Sequence, residues 1–478
     1  MFSLLHHTLA RTLFMTMFGL LTFFASKPLA AQVVSRAESI ALQSVLVEDS
    51  ATDAETDLPL DSVHQALPRI EARLKELEAL ELRIDQKLEG LPAKATPVES
   101  DSRVSYGKNG FEFETDDGNF SLAIQNRLQI RYANPFDGDP RRLSDLDRDQ
   151  SSFMVRRART KMRGHAYHSW LKYYLQYDWS DPILRDFNLT IDKYKWASLD
   201  LGRQKVDYND ERKTSSGNQQ FVNRSIVNDI FTVDRQQGAQ LYGNLFPDTR
   251  GDFTYYLGVF TGLGVGERNN DDDNLMYNVR WQWNALGGEM PFSQSDIEFH
   301  EQPALNFAIA ANTNRSRCLA YATSEDSCLP LPWAPYDTLG APGQYRINQM
   351  MGEVRFKWQG FSFLSEMHLK EIIDNLAVQV DPFRETTMVG GFAQAGYFPH
   401  HVIASVPEKL EVAGRYAFVD PKLAINNIEQ QEVSGVMTYF FNGHSNKVNF
   451  QVSHLTLDPD NASGSAVQRY WVQWDISF

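Results

Sequence analysis

Four cations stand at alternate positions of one short run: Arg157, Arg159, Lys161 and Arg163. On an extended chain successive side chains point to opposite faces, so a period of two puts all four on one face of one strand. A row of such groups does anion chemistry. Guanidinium offers a planar fork that matches the oxygens of phosphate or carboxylate, and lysine adds a mobile point charge. The other face reads Met154, Arg156, Ala158, Thr160 and Met162. Arg156 is out of place there, and must sit near an interface or turn across at a bulge.

Catalytic patterns are missing by comparison. No glycine-rich phosphate loop precedes a helix, and no Gly-x-Ser-x-Gly elbow occurs. A hydrolase assembled from Ser, His and acids of distant strands is the competing class, and esterase and protease substrates would reveal it. A third class is an adhesin or structural barrel with a plugged interior. Cys318 and Cys328, among the prolines of 314–344, suit one intraloop disulfide rather than a metal site. His400 and His401 suit an exposed turn better than a metal or catalytic pair. No cofactor and no metal are expected.

The elements that must position this basic row can be read from patterning. The chain has 478 residues, with 46 Lys+Arg against 61 Asp+Glu, a net charge of −15, two Cys and a mean hydropathy of −0.41. That charge disfavours binding to nucleic acid, and two cysteines cannot build a disulfide miniprotein. Beyond residue 31 no stretch approaches the ~20 apolar residues of a spanning helix. Residues 1–31 have His6, His7 and Arg11 before an apolar run from Thr12 to Ala25, then small residues to Ala31. This predicts a secretory signal peptide, with an uncleaved anchor as the alternative. Residues 32–62 read as a flexible linker. Val63, Leu67, Ile70, Leu74, Leu77, Ile84, Leu88 and Leu91 then follow heptad steps before Pro92. They predict a coiled-coil helix over 63–92, or else an amphipathic helix packed on its own domain.

From 119 the period becomes two. Phe120, Leu122, Ile124, Leu128, Ile130 and Tyr132 share a face opposite Ser121, Ala123, Gln125, Arg127, Gln129 and Arg131. Similar runs predict strands at 119–132, 151–164, 168–180, 186–193, 195–206, 237–246, 251–262, 274–285, 303–313, 345–358, 360–372, 385–398, 406–420, 428–442, 446–457 and 466–478. Sixteen is even, and long polar connections alternate with tight turns, as in a closed membrane barrel. The stretch 286–302 breaks that alternation and could hide a miscounted strand. The fold class is therefore all-β: a transmembrane antiparallel β-barrel over 105–478, preceded by the helix. Apolar faces must meet lipid, so polar faces line the interior. That parity turns Arg127, Arg131, Arg280, Arg355, Lys357 and Arg415 inward with the basic row. The clearest inward acids are Asp178, Asp200, Glu353, Glu366, Glu411 and Asp475.

Several ordered segments resemble the phosphate-selective porin family, porins O and P. They are Ser152-Phe-Met-Val-Arg-Arg-Ala-Arg-Thr-Lys-Met-Arg-Gly164, Leu201-Gly-Arg-Gln-Lys-Val206, Gly238-Ala-Gln-Leu-Tyr-Gly243, Tyr255-Tyr-Leu-Gly-Val-Phe-Thr-Gly262 and the closing strand to Phe478. The resemblance implies a bacterial outer-membrane homotrimer of sixteen-stranded barrels, with an inward-folded loop and an arginine ladder leading anions to a constriction. Arg157, Arg159, Lys161 and Arg163 match the ladder. The loop 207–236 is the expected inward segment, and it mixes Arg212, Lys213, Arg224 and Arg235 with Asp207, Asp210, Glu211, Asp229 and Asp234. The expected function is passive diffusion of small anions, phosphate or related oxyanions, with a general porin lacking anion selectivity as the alternative. Expected partners are outer-membrane lipid, lipopolysaccharide, further copies of the chain and the anionic solutes themselves.

Overall fold

The computed structural model describes residues 72, 75, 79, 103–138, 149–265, 269–318, 320–321, 328–329, 340–377, 384–420, 428–459 and 465–478. The expected signal peptide, the expected linker and nearly all of the helix expected over 63–92 lie outside the described residues. Ala72, Lys75 and Ala79 within that helix are helical and exposed.

Long alternating runs cannot bury one face in a small core, and here they close on themselves. The strands are β1 (Arg103–Gly107), β2 (Gly110–Glu114), β3 (Phe120–Asn134), β4 (Ser152–Ala166), β5 (His168–Asp178), β6 (Ile183–Tyr194), β7 (Ala197–Lys205), β8 (Arg235–Leu245), β9 (Phe253–Phe260), β10 (Met276–Leu286), β11 (Ala304–Ser316), β12 (Ala320–Tyr321), β13 (Cys328–Leu329), β14 (Tyr345–Trp358), β15 (Phe361–Asp374), β16 (Glu385–Tyr397), β17 (Leu410–Asp420), β18 (Ile428–Asn442), β19 (Asn446–Pro459) and β20 (Ser465–Ser477). β3–β11 and β14–β20 are the sixteen staves, each paired antiparallel to its neighbour, and β20 returns to β3 through pairs from Tyr470↔Asn134 to Ser477↔Arg127. Closure leaves no barrel edge unpaired. The hairpin β1–β2 extends β3 through Phe111↔Ile124 to Glu114↔Ser121. β12 and β13 form a small separate hairpin in the connection after β11. Cys318 is buried against Leu263 and disulfide-bonded, and Cys328 is the only other cysteine of the chain.

Outward positions carry the exposed apolar and aromatic side chains, among them Phe153, Trp281, Trp283, Ile309, Trp474 and Phe478, as a lipid-facing belt requires. The stretch after β10 contains no strand. It folds into the barrel from the end that carries tight turns, the inner end, where Arg355 donates to the Met290 and Pro291 carbonyls and Lys357 to the Ser295 carbonyl.

From the outer end the long connection between β7 and β8 also enters. It carries α1 (Asp210–Lys213) and α2 (Asn228–Phe231). Ile226, Val227, Ile230 and Phe231 pack on Leu364, Ile372, Met388, Phe392, Ala417 and Val419, so this part of the wall is apolar on its inner face as well. Gly390 admits the Phe231 ring, because a Cβ there would lie 2.5 Å from it. Polar contacts finish the seat. α1 has no side-chain cap of its own, and wall carboxylates replace it. Glu353 accepts the Asp210 N–H at 2.8 Å, and Glu366 accepts the Glu211 N–H at 2.7 Å and the Asn209 amide at 2.9 Å. Glu432 accepts the Ile226 N–H at 3.1 Å. Glu211 in turn accepts from the Ser225 N–H and hydroxyl, and burial lifts its carboxyl to about 7.

Two outcomes follow. Phe231→Ala removes the largest apolar anchor and should cost the seated loop about 3 kcal/mol or more, seen as new protease cleavage within 207–234 and as noisier single-channel current. Glu211 binds its proton more tightly seated than released, so seating strengthens as pH falls through 7 toward the ordinary carboxyl range. Loop-gating noise should therefore be lower at pH 6 than at pH 8, and Glu211→Gln should erase the difference. A noise level that rises on acidification contradicts this account.

Candidate functional site

The two inserted segments occupy one half of the barrel and leave a cavity of about 790 Å³ along the other. Its wall is built by β3–β8, its opposite side by 212–229 and by 291–298. It reaches from Asp137 and Gly138, beyond the outer end of β3, to the turn 443–445 at the inner end.

β4 supplies the spine of that wall. Arg157, Arg159, Lys161 and Arg163 pair in register with Gln129, Arg127, Gln125 and Ala123, and all four line the cavity. Alternate residues on a strand lie ~7 Å apart, so the row extends ~20 Å. A register shift opposite Gln129 and Ile130 makes room for one extra residue on β4. Parity breaks at that bulge, and Arg156 joins Arg157 in the cavity, 3.3 Å from Asp137. Burial alone would raise the Asp137 carboxyl, but the guanidinium groups of Arg131 and Arg156 overcome it and hold it low.

Charge around the cavity is lopsided. Among the described residues fourteen Lys or Arg side chains line it against five carboxylates, Asp137, Asp186, Asp200, Asp229 and Glu298. Several cations are already engaged: Arg159 and Arg185 share Asp178 at 2.7 and 2.8 Å, and Arg235 meets Asp186 through two 2.9 Å bonds. Others have no carboxylate partner among the described residues. Among the described residues Arg157 donates only to the Gln129 amide oxygen, at 2.8 Å. Arg163 donates to the Asn109 amide oxygen and lies over the Tyr174 ring. Lys205 and Arg224 donate to backbone carbonyls of 211–214. Lys161 has no hydrogen-bond or ion-pair partner among the described residues.

The remaining basic residues expected inward are inward, yet most serve the inserted segments. Arg280 pairs with Glu353 at 2.7 Å, Arg355 with Asp210 at 3.0 Å, and Arg415 with Glu432 at 2.5 Å while also holding the Asn223 carbonyl. Arg131 binds Asp137, Asn223 and Gln473. None of these four lines the cavity, whereas Arg127 and Lys357 do. Arg127 is tied to Asp475 at 2.6 Å and abuts Gly217 at the loop tip, where a Cβ would clash. Sequence reading left Arg156 open between an interface and a bulge, and the structure shows the bulge; it missed Arg185 and Lys205. Arg156 depends on a bulge, Arg185 lies where a connection was expected, and Lys205 ends β7 where parity no longer sets direction. Phe292 was also missed. It sits between Lys213, 6.0 Å from its ring centre, and Arg355, 5.3 Å away, and so joins the two inserted segments.

Among the described residues no group of His, Cys, Asp and Glu could hold a metal ion. What the arrangement can do is draw anions through a narrow, polar passage. Comparison with a family model agrees with that kind of barrel. Residues 127–323 match the family model described as phosphate-selective porin O and P. No curated protein matches. Among solved structures the chain is similar to OmpT, an outer membrane protein of Vibrio cholerae, at 10% identity over 75% of this chain and 98% of that one, TM-score 0.49. An anion-selective porin from Comamonas acidovorans gives 10% identity over 75% and 100%, TM-score 0.48. The outer membrane channel DcaP of Acinetobacter baumannii gives 8% over 77% and 99%, TM-score 0.49. The closed sixteen-strand barrel and the match over residues 127–323 make this chain a porin of the bacterial outer membrane, similar over those residues to the phosphate-selective porin O and P family.

Proposed function

We propose that this porin passes small anions by passive diffusion, with phosphate and related oxyanions preferred, and that it works as a homotrimer. One observation carries the reading: the open half of the lumen is lined by cations, seven of them without a carboxylate partner among the described residues, while wall acids on the filled half are engaged by the inserted loop. Inside a low-dielectric barrel such a surplus focuses a positive potential along the passage. Each cation replaces part of an anion's hydration shell, and the next one lies ~7 Å further on, so no single site need hold the ion tightly. Arginine's fork suits tetrahedral oxyanions better than chloride, which supports the phosphate preference together with the family similarity. The trimer rests on that similarity.

In planar bilayers under a salt gradient, the wild type should reverse at a potential favouring anions, and millimolar phosphate should block chloride current. Replacing Arg157, Arg159 and Lys161 together by Gln should lower anion-over-cation permeability by roughly threefold or more and weaken the phosphate block. An unchanged reversal potential contradicts the assignment of the pathway. An unchanged phosphate block with a shifted reversal potential contradicts the oxyanion preference alone. A monomeric protein mass in mild detergent contradicts the trimer.

A further inference from the structure

The lipid-facing surface also carries two cations where the fold does not need them. Arg315 and Arg346 both point outward, at the outer ends of β11 and β14, and stand directly opposite each other in register. Like charges so placed repel and destabilise the pair. Arg315 has partial relief: it donates to the Gly343 carbonyl at 2.9 Å and lies 3.7 Å from Asp272. Arg346 is exposed, with no hydrogen-bond or ion-pair partner among the described residues.

The registers map what lies beneath. One step inward, ~7 Å along the strands, Thr313 donates to Asn348 at 2.9 Å and Asn348 donates to Glu371 at 2.8 Å, a polar row on the outer face. Below it come Leu257, Val279, Ala311, Met350 and Leu369, then Trp281, Ile309, Gly352 and Met367. Small residues at 311 and 352 among large neighbours leave two grooves, of about 510 and 540 Å³, that meet at Ala311 and Met350. A Cβ at Gly352 would touch nothing within 4 Å.

From two opposed guanidinium groups above a polar row and paired apolar grooves, we infer that this face binds an outer-leaflet lipid with phosphate on its headgroup and several acyl chains. The phosphate sits between Arg315 and Arg346 and relieves their repulsion, while acyl chains lie in the grooves. Charge complementarity favours this occupant over a second copy packed on it face to face, since two such faces would bring four arginines together. In a trimer, whose contacts join two different surfaces, this face need not meet its own copy. The site does not share residues with the anion pathway.

The test uses the full-length barrel purified in detergent, with lipid A and dephosphorylated lipid A as probes. Native mass spectrometry should show lipid A retained by the wild type, with binding reduced about tenfold for the dephosphorylated form and for the Arg315→Ala/Arg346→Ala double variant. Unchanged heat-modifiable mobility and bilayer conductance establish that the variant is folded. A photo-crosslinking residue in place of Met350 should capture lipid in whole cells. Equal retention of lipid A by the double variant overturns the proposal, and so does a crosslink from position 350 to another copy of the chain.

Discussion

The interior of this barrel depends on where its carboxylates go. A closed barrel of sixteen strands offers many inward polar positions, and each needs water or a partner. Glu353, Glu366 and Glu432 take backbone N–H groups of the connection between β7 and β8, and Arg280 and Arg415 neutralise two of the same acids. Acidic wall and inserted loop thus cancel each other on one side. The basic wall of β4 has far fewer acids in front of it, so a chain with a net negative charge encloses a positive passage.

Much of the architecture was legible because the requirement is simple. A strand with lipid on one side and polar lumen on the other must alternate, and alternation survives in a single sequence. All sixteen staves were found, and 345–358 and 428–442 coincide with the observed strands. The hairpin β1–β2 was overlooked because Arg103–Gly107 and Gly110–Glu114 are five residues each, too short for a periodic signal. The stretch 286–302 looked anomalous because connections at the inner end are normally tight; its length is used to fold inward.

The site was harder to read. Parity tells which way a side chain points, not what it meets. Arg280, Arg355 and Arg415 have the same parity argument as Arg159 and Lys161, yet the inserted loop covers the first three and leaves the others at the passage. That distinction depends on contacts between residues more than 60 positions apart, such as Arg280 with Tyr208 and Arg415 with Asn223. A bulge is half hidden: a charge on the apolar face marks Arg156 as out of place, but only the pairing of the partner strand decides that it turns inward.

The seam of the barrel has a consequence of its own. One edge of β3 is shared end to end: β2 pairs with it up to Ile124, and Phe478, just past the end of β20, exchanges two backbone bonds with Asn126. A closing strand that slid along β3 by one pleat toward its start would run into the hairpin already docked there. The short hairpin thus acts as a doorstop for the final zipper of the cylinder, allowing the C-terminus to come to rest at one place during insertion.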